Sequence, residues 1–177
     1  MEKSIHLLSF ALFFLSSQRE LFAQSGIDKK GDLVWYTDML KANEASRLSG
    51  KPIFGLFTGS DWCVWCHKLE RDVFAKPDFI KWAQKNVILV ELDFPRKKQL
   101  APELAQQNNG LQQTFQVQGF PTVWMFYLSK DAASNKFNIS ALGSLGYPND
   151  PEPGKEEVKF LKDANDILSK NKAKGAP

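Results

Sequence analysis

The 177-residue chain contains two cysteines, Cys63 and Cys66, and their placement constrains its fold more than any other feature. They lie in Asp61-Trp62-Cys63-Val64-Trp65-Cys66-His67, which also holds the one histidine beyond the first ten residues. The apolar run Pro52-Ile53-Phe54-Gly55-Leu56-Phe57 precedes the motif. Cys66, Leu69 and Val73 then follow at the i, i+3, i+7 spacing of a helix. The pair is therefore predicted where a strand turns into a helix. A C-x-x-C at such a junction, near a βαβ pattern, reads as a redox pair.

The chemistry favours that position. A helix N-terminus carries unpaired N–H groups and about half a positive charge, and both stabilise a thiolate. The thiolate is the form that attacks disulfides. Cys63, at the helix start, gains most from this and reads as the attacking thiol. Cys66, one turn on, faces the same way and reads as the resolving thiol.

Three other readings compete. An inert structural disulfide closes too small a ring to constrain an unfolded chain much. A structural zinc site wants four Cys or His ligands, and this neighbourhood offers three. Cys63-Val64-Trp65-Cys66-His67 also matches C-x-x-C-H, the attachment motif of c-type haem, with His67 as the proximal ligand. The methionines left to complete such a site are Met39 and Met125, and Met125 lies in the strand-like run Thr122–Leu128.

The N-terminus reads as an export signal over residues 1–23. Lys3 supplies a thin basic region, Ile5 to Leu15 an apolar core of 11 residues, and Leu21-Phe22-Ala23 a small-residue cleavage site. The core is shorter than the about 20 apolar residues of a membrane span, so no span is expected after cleavage. Periplasmic or secreted localisation follows. Residues 24–177 form one domain of about 154 residues, with its core at about 33–170. A hydrophobic content of 43% and a charged content of 24% suit a globular chain. The net charge of +3 comes with no basic stripe interleaved with aromatics, so no nucleic-acid partner is expected.

Further elements follow from pattern. Leu33–Tyr36 reads as a short strand after a polar Gly/Lys/Asp stretch. Thr37 or Asp38 caps a helix ending at Ser49-Gly50, with Leu40, Ala45 and Leu48 on one face. Pro77–Ala83 opens a short helix, and Val87–Leu92 is a β-branched strand. Residues 95–118 read as helical with a break at Asn108-Asn109-Gly110. Val117-Gln118-Gly119-Phe120-Pro121-Thr122 leads into the strand Val123–Leu128, and a proline there is a natural cis site. Ile139–Gly143 reads as an edge strand. Val158, Leu161, Ala164, Ile167 and Leu168 mark a final amphipathic helix.

The order β-α-β-(CxxC)-α-β-α-Pro-β-β-α resembles the thioredoxin superfamily, and the chain looks like a secreted bacterial single-domain member. Trp62-Cys63-Val64-Trp65-Cys66-His67-Lys68 and Gly119-Phe120-Pro121-Thr122 carry the resemblance. It implies an α/β thioredoxin-like fold, a central mixed sheet flanked by helices. It also implies thiol–disulfide oxidoreductase activity, with protein disulfides or dithiols as substrates, a redox partner protein and no cofactor beyond the cysteines. By resemblance, Cys63 attacks and Cys66 resolves. Pro121 matches the cis-proline facing the pair, and Phe120 the residue whose backbone pairs with substrate. Trp62 matches the aromatic before the first cysteine.

The chain also departs from the family. Val64-Trp65 between the cysteines supplies no positive charge, and Asp61 adds a negative one, which implies a less oxidising pair than in isomerases and oxidases. Thioredoxin's buried acid, six residues before the first cysteine, falls on Phe57, so its role is missing or supplied elsewhere. His67 is either a partial substitute or an exposed ring. The long segment between the two motifs predicts an added helix near the site. A binding module that uses the groove without turnover is the alternative to an enzyme.

Overall fold

The computed structural model describes residues 26–130 and 137–172. The sequence-predicted export signal, residues 1–23, lies outside them. Six strands form one sheet: β1 (Ile27–Lys30), β2 (Leu33–Tyr36), β3 (Ile53–Thr58), β4 (Ile88–Asp93), β5 (Thr122–Lys130) and β6 (Phe137–Leu145). Their spatial order is β1-β2-β4-β3-β5-β6. β4 runs parallel to β2 and β3, whereas β5 is antiparallel to β3 and to β6. The sheet is thus mixed, with β6 at one edge.

The helices are α1 (Met39–Ser49), α2 (Val64–Leu69), α3 (Pro77–Asn86), α4 (Pro102–Thr114) and α5 (Glu156–Lys172). A π turn, Glu70–Phe74, continues α2. The helix expected after the cysteines is therefore a short helix continued by a π turn, and the second helix expected at Pro77 is present, with proline at its first position, where its missing N–H costs nothing.

Alternation along the central strands sends side chains to two cores. Phe54, Leu56, Leu89, Val123 and Met125 point to one side, where Leu69, Val73, Phe79 and Phe160 cover them. Ile53, Phe57, Val90, Leu92 and Phe126 point to the other, under Met39, Ala42 and Phe115. All six residues of β3 are buried, as expected of a strand covered on both faces.

Four details differ from expectation. The polar stretch before Leu33 contains a strand, β1, paired antiparallel with β2 through a turn at Gly31-Asp32. Gly31 has φ +59°, which fits a hairpin turn with glycine at its first central position. In α1, Asp38 is the cap, accepting from the Leu40 and Lys41 N–H groups. The buried stripe is Met39, Ala42 and Ser46, while Leu40 and Leu48 are 63% and 75% exposed. Ser46 tolerates burial because its hydroxyl donates to the Lys51 carbonyl at 2.6 Å.

The helix α4 also runs unbroken through Asn108-Asn109-Gly110. Buried Asn108 donates its side-chain amide to the Asp93 carbonyl at 2.9 Å, a tertiary bond that outweighs weak helix propensity. In α5, Phe160 and Ala164 are buried, but Val158 is exposed.

Candidate active site

β3 ends at Thr58, and the chain then turns through Gly59 to deliver Trp62 and Cys63. The Trp62 and Cys63 N–H groups both donate to the Gly59 carbonyl, at 3.2 and 2.9 Å. A side chain at position 59 would collide with the Trp62 indole, since a Cβ there would lie 2.4 Å from the ring. Cys63 is the N-cap of α2. It forms a disulfide with Cys66, and its Sγ accepts the Cys66 N–H at 3.2 Å. Both cysteines are buried, whereas Val64 and Trp65 between them project into solvent, 76% and 54% exposed.

Antiparallel pairing sets Phe57 opposite Thr122, so the Phe120-Pro121 segment lies at the same end of the sheet as the cysteine loop. The Phe120–Pro121 peptide bond is cis. The Phe120 ring meets the Trp62 ring edge-on at 5.9 Å and stacks on Phe94 at 5.1 Å. The structure thus brings Trp62, Cys63, Cys66, Phe120 and Pro121 to one end of the sheet.

A third segment was not foreseen. β4 is parallel to β3 with Thr58 beside Asp93, so the residues after β4 emerge next to the cysteine loop. Trp62 Nε1 donates to the Phe94 carbonyl at 2.8 Å, and the Arg96 guanidinium lies 3.6 Å from the centre of the Trp62 ring. Asp61 accepts from the Arg96 and Lys97 backbone N–H groups, at 3.0 and 2.7 Å. Those amides, led by Arg96, hold its carboxyl below the ordinary range. The charge of Asp61 is therefore spent on the 94–97 loop rather than presented to the cysteines. Buried Asp93 accepts from the Ser60 N–H and hydroxyl and pairs with Lys98. His67 is exposed, with Nε2 2.8 Å from the Ser60 carbonyl.

Beyond Trp65, its ring meets Tyr147 at 5.3 Å, and the Lys68 ammonium lies over both rings at 5.0 and 4.8 Å. A cation therefore does stand beside the inter-cysteine residues, although neither Val64 nor Trp65 supplies it. Tyr147 donates its hydroxyl to Asp72 at 2.9 Å. Burial alone raises the Asp72 carboxyl, but hydrogen bonds from Arg71 and Tyr147 outweigh it and leave it lowered. Burial, and then the Asp72 carboxylate, push the Tyr147 phenol from 10.0 up to about 12. A raised phenol adds stability that is complete below its unfolded value and is lost as pH rises through about 12. Burial also raises the Tyr127 phenol, and in an ultraviolet titration of the three tyrosines the late step at about pH 12 is expected to be that of Tyr147. Tyr147→Phe should remove that late step, and its persistence would refute the assignment.

Comparison with known proteins agrees with this geometry. A profile of the thioredoxin-like domain matches residues 40–131, more than half of the chain. The disulfide bond reductase DsbH of Chlamydia pneumoniae is 40% identical over 81 residues, covering 46% of this chain and 49% of that protein. The thioredoxin-related protein DsbJ of the same organism is 30% identical over 114 residues, covering 64% of this chain and 31% of that protein. The matches thus span half or less of the length of these relatives. Among solved structures, a DsbH oxidoreductase superposes with a TM-score of 0.60 at 31% identity, over 73% of this chain and 81% of that one. A thioredoxin from Thermus thermophilus superposes with a TM-score of 0.54 at 17% identity, over 80% and 92%, a likeness of fold. Mixed sheet, cysteine pair at a strand–helix junction and profile match lead to one conclusion: the chain belongs to the thioredoxin-like domain family.

Proposed function

We propose that the chain is an exported thiol–disulfide oxidoreductase. The observation that carries this reading is the Cys63–Cys66 disulfide at the start of α2, with Cys63 as the cap. In the reducing direction, the Cys63 thiolate attacks a sulfur of a protein disulfide and forms a mixed disulfide. One substrate thiolate leaves and takes up a proton. Cys66 then loses its proton and attacks the Cys63 sulfur. The Cys63–Cys66 disulfide forms, and the second substrate thiolate departs. Trp62, Phe120 and Pro121 bind the substrate, with the Phe120 backbone pairing with an extended segment as in strand addition.

The name of the 40%-identical relative, a disulfide bond reductase, supports the reducing direction. A redox partner protein then returns the pair to the dithiol. Residues 1–23 serve as the export signal, residues 24–177 as the domain, and the periplasm or exterior as the place of action. Among the described residues, no helix is long and apolar enough to cross a membrane. The haem reading gains nothing from the fold, because Met125 is fully buried in β5 and Met39 packs in the second core.

Reduced protein, freed of reductant, is expected to cleave a small-molecule disulfide once per chain, measured by thiol release. No release would defeat the proposal. A binding module would instead bind extended peptides equally well with both cysteines replaced.

A further inference from the structure

One face of Cys66 opens onto a cavity of about 350 Å³. Cys66, Thr58, Lys30 and Glu91 line it together with His67 and Glu70, and Cys63 does not. The cavity therefore serves the resolving sulfur alone. Phe57, which holds the place of the family's buried acid, is fully buried on the opposite core, against Phe94 and Phe115. No acid can act on Cys66 from there.

We propose that Glu91, held by Lys30, accepts the proton of Cys66 when it resolves the mixed disulfide; this rests on the thiol–disulfide reading above. Glu91 interrupts the apolar strand β4, and its side chain is 12% exposed. A carboxylate placed there costs stability unless it is paired. Lys30, at the end of the added strand β1, pairs with it. Burial by itself lowers the Lys30 ammonium, but the charge and hydrogen bond of Glu91, helped by Glu70 and Asp28, leave it raised. The Lys30 ammonium thus stays charged inside the cavity. Room and polar lining together suit bound water, and one water suffices to carry a proton between groups not in direct contact.

The other ionisable groups nearby are engaged or open to solvent. Glu70 is exposed, and His67 is exposed beside the Ser60 carbonyl. Asp28 is exposed on β1. Asp93 is taken by Ser60 and Lys98. In the step proposed, the Cys66 S–H proton passes through water to the Glu91 carboxylate. The Cys66 thiolate attacks the Cys63 sulfur, the S–S bond to the substrate breaks, and the substrate sulfur leaves with the electron pair. Glu91 then returns its proton to solvent.

The test uses reduced protein and an aromatic nitrobenzoate disulfide in a stopped-flow spectrometer. Attack by Cys63 releases a first coloured thiolate, and resolution by Cys66 a second. Glu91→Gln is expected to slow the second release by at least about tenfold and to erase one inflection of its pH profile. The first release should stay within about twofold. Lys30→Met should move that inflection to higher pH, because an unpaired carboxylate holds its proton more tightly. Glu70→Gln should leave it in place. An unchanged second release in Glu91→Gln, or equal slowing of both, overturns the proposal. If Glu91→Gln does not fold, an inflection unmoved in Lys30→Met overturns it. Absence of both releases in the unaltered protein defeats the oxidoreductase reading instead.

Discussion

Cys63→Ser is expected to abolish disulfide cleavage, and Cys66→Ser to accumulate a covalent adduct with the substrate. The two cysteines differ in position, and the outcomes differ accordingly. Cys63 caps α2 and its sulfur accepts an N–H bond from Cys66, a donor that favours the thiolate over the thiol. Serine at that position has no comparable nucleophile, so no first attack occurs. Without Cys66 the first attack still proceeds, but no neighbouring thiol displaces the substrate. The adduct then decays only by reaction with outside thiols. Intact mass of the incubated variants checks both, read as substrate retained on Cys66→Ser and none on Cys63→Ser. Full turnover by either single variant would refute the assignment of the pair.

Phe54→Ala is expected to lower the unfolding free energy by about 3–5 kcal/mol, among the largest losses a single truncation produces. Phe54 is fully buried, the second residue of β3. Its ring lies 5.9–6.4 Å from those of Trp35, Phe74, Phe79, Trp82 and Phe160. These rings come from β2, the π turn, α3 and α5, so one side chain joins the sheet to the whole helical layer over it. A void there loses contacts on every side, and rigid aromatics refill it poorly. Denaturant unfolding of the oxidised proteins measures the loss. A fall below about 1.5 kcal/mol would mean that the layer collapses into the gap, as it does for well-tolerated swaps.

The parts legible in the sequence are those written in local pattern. The run Ile53–Phe57, the C-x-x-C and Gly119-Phe120-Pro121-Thr122 predict a strand, a helix start and a turn before a strand, and all three are present. β1 went unread because Ile27-Asp28-Lys29-Lys30 is polar and mostly exposed, as an outer hairpin strand is free to be. The Gly31-Asp32 turn was its available signal. The stripe of α1 is not legible in the sequence because buried Ser46 is paired with the Lys51 carbonyl just beyond the helix, a bond that hydropathy does not register. The Arg96–Trp62 stack and the Lys30–Glu91 pair join residues distant in sequence, and strand order alone brings them together.

The close approach of Gly59 to Trp62 sets a rule for anyone who would redesign the approach to the cysteines. The indole fills the volume that a residue at position 59 would otherwise occupy, and Phe94 and Arg96 fix the indole from its other sides. The two positions therefore form one unit of variation. A library that randomises residue 59 while keeping tryptophan at 62 spends its members on collisions. One that pairs a larger residue at 59 with a smaller one at 62 samples new surfaces beside Cys63 while keeping the strand–helix junction.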